Sequence, residues 1–176
     1  LYVGRLAQEK NTQTLFAAFE LVTERDPHLY HLLVVGDGLQ RAELRGLQDR
    51  TRAETWKQYC TDSEELAHLY RAADLLVHPG VQETFGLTAL ESQACGTPVV
   101  GIRGSYMDRI IFGSQEHWAR ENSVPALAEA VAAAAAMNLR QSSLVADRVR
   151  KDYAWPVVFQ KLFRLYDEVR TRYRPG

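Results

Sequence analysis

The first loop of the chain carries two cations of the kind that bind phosphate. Arg5 and Lys10 follow a short apolar run, 1–3, and precede a segment, 12–25, with apolar residues at helical spacing. Gly4 lets the backbone approach a ligand closely, and the N-terminus of a helix adds partial positive charge. This arrangement suits a diphosphate, although an exposed loop with ordinary surface charges would show the same spacing.

Two carboxylates flank a second element that could bind an anion. Glu83 lies in a loop after an apolar run, and Glu91 lies within a helix predicted at about 85–95. The backbone N–H groups at the start of that helix attract anions, and carboxylates accept hydrogen bonds from vicinal hydroxyls. The pair therefore suits a sugar on one side of a phosphate and a ribose on the other. On spacing alone, the simpler interpretation is a helix-dipole partner at Glu83 and an exposed helix residue at Glu91.

Other polar signals are weaker. The Gly36-Asp-Gly38 sequence lacks the third glycine of a dinucleotide fingerprint, and a tight strand-to-helix turn explains it. His78 ends an apolar run before Pro79, which predicts a hydrogen-bonded strand-end histidine rather than a base or a metal ligand. The spacings of Ser, His, Asp and Cys predict neither a hydrolase nor a metal site.

Alternating strands and helices must position these loops. Short apolar runs predict strands at 1–3, 31–35, 55–59, 75–78 and 99–102. Helical spacing predicts helices at 12–25, 40–50, 85–95, 123–137, 142–153 and 155–173, and one more that opens at Asp62, where Glu65 completes a capping-box pattern. Strands that are apolar on both faces require a parallel sheet with helices on both sides. The sequence predicts an α/β domain of three layers, with its ligand beyond the carboxyl ends of the strands.

Composition limits the partners. The 176 residues, 46% of them hydrophobic, are enough for one well-filled core, and the start at Leu1 inside a predicted strand indicates a fragment. A net charge of −1 argues against a nucleic-acid partner. No apolar run approaches the roughly 20 residues that span a bilayer. Cys60 and Cys95 match no ligand or redox spacing, which fits a reducing cytoplasm.

Several blocks together resemble family 4 glycosyltransferases of the GT-B fold. The resemblance covers nearly the whole chain in the family's order, and two glutamates separated by seven residues are the family's signature pair. The blocks are Val3-Gly-Arg-Leu6 with Glu9-Lys10, Val35-Gly-Asp-Gly38, Leu69-Tyr-Arg-Ala-Ala-Asp74, Glu83-Thr-Phe-Gly-Leu87 running to Glu91, Ala94-Cys-Gly-Thr-Pro-Val-Val100, and Trp155 before a final helix.

The resemblance implies the C-terminal, donor-binding lobe of two Rossmann-like lobes, here as a single domain over 1–176. The N-terminal acceptor lobe would then lie outside this chain, and any peripheral membrane contact would run through that lobe. Such enzymes retain the anomeric configuration, transfer a hexose from a UDP- or GDP-sugar, and need no metal or other cofactor. An isolated lobe would be inactive.

The resemblance also implies a role for each matching residue. Gly4, Arg5 and Lys10 would hold the donor diphosphate, and Glu83 would meet the hydroxyls of the transferred sugar as the catalytic residue. Glu91 would bind the ribose. The remaining expected contacts are backbone amides at Phe85, Gly86 and Leu87 with sugar or phosphate, and the nucleobase near Tyr59 and Cys60.

Two segments depart from the family pattern. Where the family often has glycine beside the nucleobase, this chain reads Trp56-Lys-Gln-Tyr-Cys60. After the fifth strand it has Gly104-Ser-Tyr-Met-Asp108 in place of Gly-Gly-x-Pro-Glu, and 109–122 lacks a glycine-rich stretch. These departures leave open a relative such as a sugar-nucleotide epimerase, or a nucleotide-binding module without catalysis.

Overall fold

A computed structural model describes residues 1–137, 139 and 142–173, in which strands and helices alternate. The strands are β1 (Tyr2–Val3), β2 (Leu32–Val35), β3 (Glu54–Lys57), β4 (Leu76–Val77) and β5 (Val99–Val100). The α-helices are α1 (Thr12–Arg25), α2 (Arg41–Thr51), α3 (Ser63–Ala72), α4 (Leu87–Ala94), α5 (Val124–Ala136), α6 (Ser143–Tyr153) and α7 (Trp155–Arg172). Short 3-10 turns lie at Gln8–Lys10 and Tyr106–Arg109.

The strands are parallel and run in the spatial order 3-2-1-4-5. Strand β2 pairs with β1 and β3, and β4 pairs with β5. The two groups meet between β1 and β4, where the backbone N–H of Val77 donates to the carbonyl oxygen of Leu1 at 2.9 Å. A parallel bridge from Ile102 to Ala119 continues the sheet beyond β5.

Each face of the sheet has its own apolar core because successive strand residues point to opposite sides. Val34, Val77 and Val100 pack on the side of α1, α2 and α5. Val35, Leu76 and Val99 pack on the other side, with residues of α3, α4 and α6. The predicted three-layer α/β/α architecture, with helices at its C-terminal end, is therefore confirmed.

Several predicted local details are wrong. Helix α4 begins at Leu87, with Gly86 as its N-cap, so Phe85 and Gly86 lie in the preceding loop. Asp62 caps α3 by accepting a hydrogen bond from the backbone N–H of Glu64 at 2.8 Å. Glu65 does not complete the capping box, because its carboxylate pairs with the Lys57 ammonium at 2.8 Å.

The loops after β1 and β2 pack backbone against backbone. The N–H of Gly4 donates to the carbonyl of Val35 at 2.9 Å, and the N–H of Leu6 donates to that of Asp37 at 2.9 Å. A β-carbon at Gly36, where φ is +137°, would overlap the carbonyl oxygen of Gly4. The glycines of the Gly36-Asp-Gly38 turn thus allow the cation-bearing loop to lie directly on its neighbour.

His78 ends β4 as a buried side chain with an unsatisfied nitrogen. The residue is 8% exposed, and within the described part of the chain its Nδ1 has no hydrogen-bond partner. Burial holds the pKa of His78 below its usual value, with a smaller opposing effect from Glu83. The folded state therefore favours the neutral ring.

The change Gly36→Ala should destabilise the domain far more than Gly96→Ala, a matched control. Gly96 also has positive φ, +87°, but a β-carbon there meets nothing within 4 Å. The control should cost about 1 kcal/mol of unfolding free energy from backbone strain alone, whereas Gly36→Ala adds overlap with backbone and should cost about 3 kcal/mol or more. Urea unfolding of both variants measures the difference, and equal losses would show that the close approach is unimportant.

Buried neutral His78 should make the domain lose stability as the pH falls below 6.5, the ordinary histidine pKa. The sign follows because the unfolded chain then binds a proton that the folded chain resists. Replacement by Asn should reduce the loss of unfolding free energy between pH 6.5 and 5. Parallel slopes for the two proteins would contradict the prediction.

Candidate functional site

A cleft of about 220 Å³ opens at the carboxyl edge of the sheet, between the ends of β1 and β4. Strand β1 and its loop form one wall, and the loop from β4 to α4 forms the other. The lining residues are Tyr2, Val3, Gly4, Lys10, Val77, His78, Pro79, Gly80, Glu83, Thr84, Phe85, Gly86, Leu87 and Thr88. The structure thus brings together most of the residues that the sequence identified.

An ion pair crosses this cleft. The Lys10 ammonium donates to the Glu83 carboxylate, although 73 positions separate the two residues in the sequence. The Glu83 side chain is 10% exposed and the Lys10 side chain 25% exposed, so solvent screens the pair only partly. Lys10, predicted to bind the diphosphate, and Glu83, predicted to bind the sugar, therefore pair with each other.

Asn11 forms a second link between the two walls. Its side-chain amide donates to the carbonyl of Pro79 at 2.9 Å and to Oδ1 of Asn122 at 2.7 Å. Asn11 has a left-handed backbone, φ 56°, which turns the chain from the 3-10 turn into α1. Its contacts fix the loop that carries Lys10 against the loop that follows β4.

The N-terminus of α4 lines the cleft, and Gly86 begins it with a left-handed φ of +74°. A β-carbon at Gly86 would overlap the terminal methyl of Met107. Met107 is fully buried in the segment that departs from the family pattern. Packing from this segment therefore sets the position of Gly86, while Phe85 and Leu87 stay 42% and 51% exposed.

A second cleft of about 510 Å³ adjoins the first and shares Val3 and Gly4 with it. Arg5, Tyr59 and Cys60 line it, so the predicted nucleobase region lies next to one predicted phosphate ligand. Arg5 is largely exposed and pairs with Glu9 at 2.8 Å. The further lining residues are Val35, Gly36, Asp37, Gly38, Gln58 and Leu66.

Asp37 forms hydrogen bonds that connect the loops lining the second cleft. One carboxylate oxygen accepts hydrogen bonds from Gln58 at 2.6 Å, from Arg41 at 3.0 Å and from the Tyr59 hydroxyl at 3.2 Å. The bond from Gln58 does most to hold the pKa of Asp37 below its usual value. The turn after β2 thus positions the loop after β3, a role that its sequence signal had not indicated.

Glu91 is not among the residues that line the two clefts. It is exposed in the second turn of α4, and its Oε2 accepts a hydrogen bond of 2.8 Å from the Tyr70 hydroxyl. Tyr70 is 1% exposed in α3. Sequence reasoning missed this tyrosine, together with Tyr2, Asn11 and the cleft position of His78, because apolar burial and turn formation account for each of them locally.

No group of three or more His, Cys, Asp or Glu side chains in 1–137, 139 and 142–173 is arranged to hold a metal ion. Of the helices within those ranges, none is long and apolar enough to cross a membrane.

Known proteins are similar to this chain in sequence and in architecture. A D-inositol 3-phosphate glycosyltransferase from Pseudarthrobacter chlorophenolicus is 39% identical over 117 residues, which are 64% of this chain and 28% of that protein. A mannosylfructose-phosphate synthase from Agrobacterium fabrum is 37% identical over 124 residues, covering 64% of this chain and 27% of that protein. The chain thus spans little more than a quarter of the length of these relatives.

The structural comparison covers more of the chain. Sucrose-phosphate synthase from Thermosynechococcus elongatus matches 97% of this chain and 45% of its own, with a TM-score of 0.79 and 28% identity. A family model described as "Glycosyl transferases group 1" matches residues 1–147. Because that match takes in both clefts and every element that positions them, the chain belongs to the group 1 glycosyl transferases.

Proposed function

We propose that this chain is the donor-binding lobe of a retaining glycosyltransferase that transfers a hexose from a UDP- or GDP-sugar to an acceptor. One observation carries the proposal: two clefts meet at Gly4, with Lys10 lining one and Arg5 lining the other. A nucleotide sugar has the same plan, since a diphosphate joins its sugar to its nucleoside. The diphosphate would lie over Gly4, where a cation approaches from each side.

The smaller cleft would hold the transferred sugar. Glu83 is a nearly buried carboxylate that can accept hydrogen bonds from sugar hydroxyls. The N-terminus of α4 would place the backbone amides around Phe85, Gly86 and Leu87 toward sugar or phosphate. Charge that develops at the anomeric carbon would then lie close to the Glu83 carboxylate, where a fixed carboxylate is most effective.

The larger cleft would hold the nucleoside. Tyr59 is 66% exposed at its edge and offers an aromatic face to a base, with Cys60 beside it. Glu91, on the α4 side, would accept hydrogen bonds from the ribose hydroxyls. The larger cleft has a volume of about 510 Å³, which lies in the range of ordinary ligand sites, about 300–1,000 Å³.

The site would stabilise the leaving diphosphate without a metal ion. Lys10, Arg5 and the N-terminus of α4 supply positive charge where the leaving group forms, which is the work that a divalent cation does elsewhere. The reaction would take place in the cytoplasm, where Cys60 and Cys95 remain reduced thiols.

The acceptor would bind to a part of the protein beyond this chain. Both clefts open at one edge of the sheet, and the chain spans 28% of its inositol-phosphate-glycosylating relative. A facing lobe would close the clefts, exclude water and bind the acceptor so that its hydroxyl faces the donor sugar. The chain alone should therefore bind nucleotide and transfer no sugar. An epimerase or a binding module without catalysis would also bind nucleotide, so turnover of the complete protein distinguishes these activities.

Titration calorimetry with UDP and GDP tests the donor site. The chain should bind one of them, and Lys10→Ala should weaken that binding by about 1–3 kcal/mol through loss of a partly buried cation. Arg5→Ala should cost less, under about 1 kcal/mol, because Arg5 is 71% exposed. Arg25→Ala, at the far end of α1, is the matched control. If wild-type chain shows no heat and no NMR shift at millimolar nucleotide, the proposal fails.

The change Glu83→Gln should move two measurements in opposite directions. It removes a negative charge beside the diphosphate site and frees Lys10, so affinity for UDP or GDP alone should rise about threefold or more. In the complete two-lobed protein, turnover should fall about 100-fold because the carboxylate no longer faces the reacting sugar.

Glu9→Gln provides the control for Glu83→Gln, since Glu9 pairs with Arg5 on the surface. It should leave turnover nearly unchanged. A folded Glu83→Gln protein with normal turnover would remove Glu83 from the reaction and leave it a purely structural role.

A further inference from the structure

The hydrogen bond between Tyr70 and Glu91 connects a buried side chain to an exposed one. Tyr70 is 1% exposed, and its hydroxyl donates to Oε2 of Glu91 at 2.8 Å. Within the described residues this is the one hydrogen bond that the Glu91 carboxylate accepts. The other oxygen, Oε1, accepts no hydrogen bond from the described residues, and Glu91 is exposed.

Tyr70 is itself held by a buried polar network. The Thr97 hydroxyl donates to the carbonyl of Tyr70 at 2.5 Å, and the Ser92 hydroxyl donates to the carbonyl of Thr97 at 3.1 Å. Ser92 and Thr97 are 0% and 2% exposed. These bonds join α3, α4 and the turn after α4, so the Tyr70 hydroxyl has a fixed position relative to the helix that carries Glu91.

Gln93 fastens α4 on its other side. Its side-chain N–H donates to the carbonyl of Ile110 at 3.0 Å, and its side-chain oxygen accepts from the N–H of Phe112 at 2.7 Å. Gln93 is fully buried. The backbone around Glu91 is thus immobilised from both sides, and the torsions of the Glu91 side chain are the freedom that remains.

An exposed glutamate with free torsions loses conformational entropy when it binds a ligand. A hydrogen bond to one oxygen removes part of that cost in advance and leaves the other oxygen able to accept hydrogen bonds from a ligand. Burial and the neighbouring Glu91 carboxylate raise the pKa of Tyr70, so its hydroxyl stays protonated and remains a donor.

We infer that Tyr70 is a positioning residue that orients the Glu91 carboxylate toward the 2′- and 3′-hydroxyls of the donor ribose. The inference rests on the proposed function, because it requires a ribonucleotide in the adjoining cleft. Tyr70 acts only through Glu91 and touches no ligand. The Tyr70 hydroxyl should contribute to the affinity for the ribose hydroxyls and not to the affinity for the base or the phosphates.

Calorimetry on Tyr70→Phe tests this with two probes, UDP or GDP (whichever binds wild-type chain more tightly) and its 2′,3′-dideoxy analogue. The variant should weaken binding of the ribonucleotide about three- to tenfold, the range for one hydrogen bond. It should leave binding of the dideoxy analogue unchanged. Tyr30→Phe removes a half-buried hydroxyl far from the clefts and should change neither affinity.

A double-mutant cycle shows whether Tyr70 acts through Glu91. In a Glu91→Ala background, Tyr70→Phe should have no further effect on ribonucleotide affinity. Side-chain three-bond couplings of Glu91, measured without nucleotide, should change from one rotamer toward an average in Tyr70→Phe. This NMR readout also confirms that the variant is folded.

The outcomes separate this inference from the proposed function. If wild-type chain binds neither UDP nor GDP, both fail together. If wild-type chain binds and Tyr70→Phe weakens the ribonucleotide and its dideoxy analogue equally, or weakens neither, the proposed function stands and the inference is overturned. A further loss in the Glu91→Ala background would likewise show that Tyr70 acts by another route.

Discussion

The pairing of β1 with β4 at the centre of the sheet is the constraint on which the site depends. From β1 the chain passes to α1 on one face, whereas from β4 it passes to α4 on the other. The two loops must diverge where the strands end, and a parallel sheet leaves a crevice at such a switch point. The Val77-to-Leu1 hydrogen bond therefore sets the distance across which Lys10 faces Glu83.

The Lys10–Glu83 pair balances positive and negative charge within the smaller cleft. Leaving either group unpaired in a partly buried site would be costly, so each stabilises the other. In the proposed complex, a diphosphate would offer Lys10 a stronger partner, and sugar hydroxyls would offer Glu83 donors in place of the ammonium. In the proposed donor complex, recognition of phosphate and recognition of sugar would be coupled, because neither Lys10 nor Glu83 could turn to its ligand without releasing the other.

Local sequence patterns predicted the elements well and the contacts between them poorly. Helix α1 has the predicted limits, since its apolar spacing and the following Pro27 act within the segment itself. Pairings such as Lys10 with Glu83, Tyr70 with Glu91 and Lys57 with Glu65 depend on how strands and helices are arranged in space. The Asp62 pattern shows the limit, because a capping box and a cross-element ion pair compete for Glu65, and tertiary placement decides between them.

Apolar packing and hydrogen bonding determine different features of α4. Met107 packs under Gly86 and fixes where the helix begins, while Gln93, Ser92 and Thr97 fix how the helix is rotated. The packing depends on the volume beneath Gly86, which the Met107 side chain fills. The hydrogen bonds depend on geometry as well, because each buried polar group needs a partner in a defined position. The Gln93 bonds end on Ile110 and Phe112, so the segment that follows 104–108 takes part in setting the orientation of α4, together with α3 and the turn after α4.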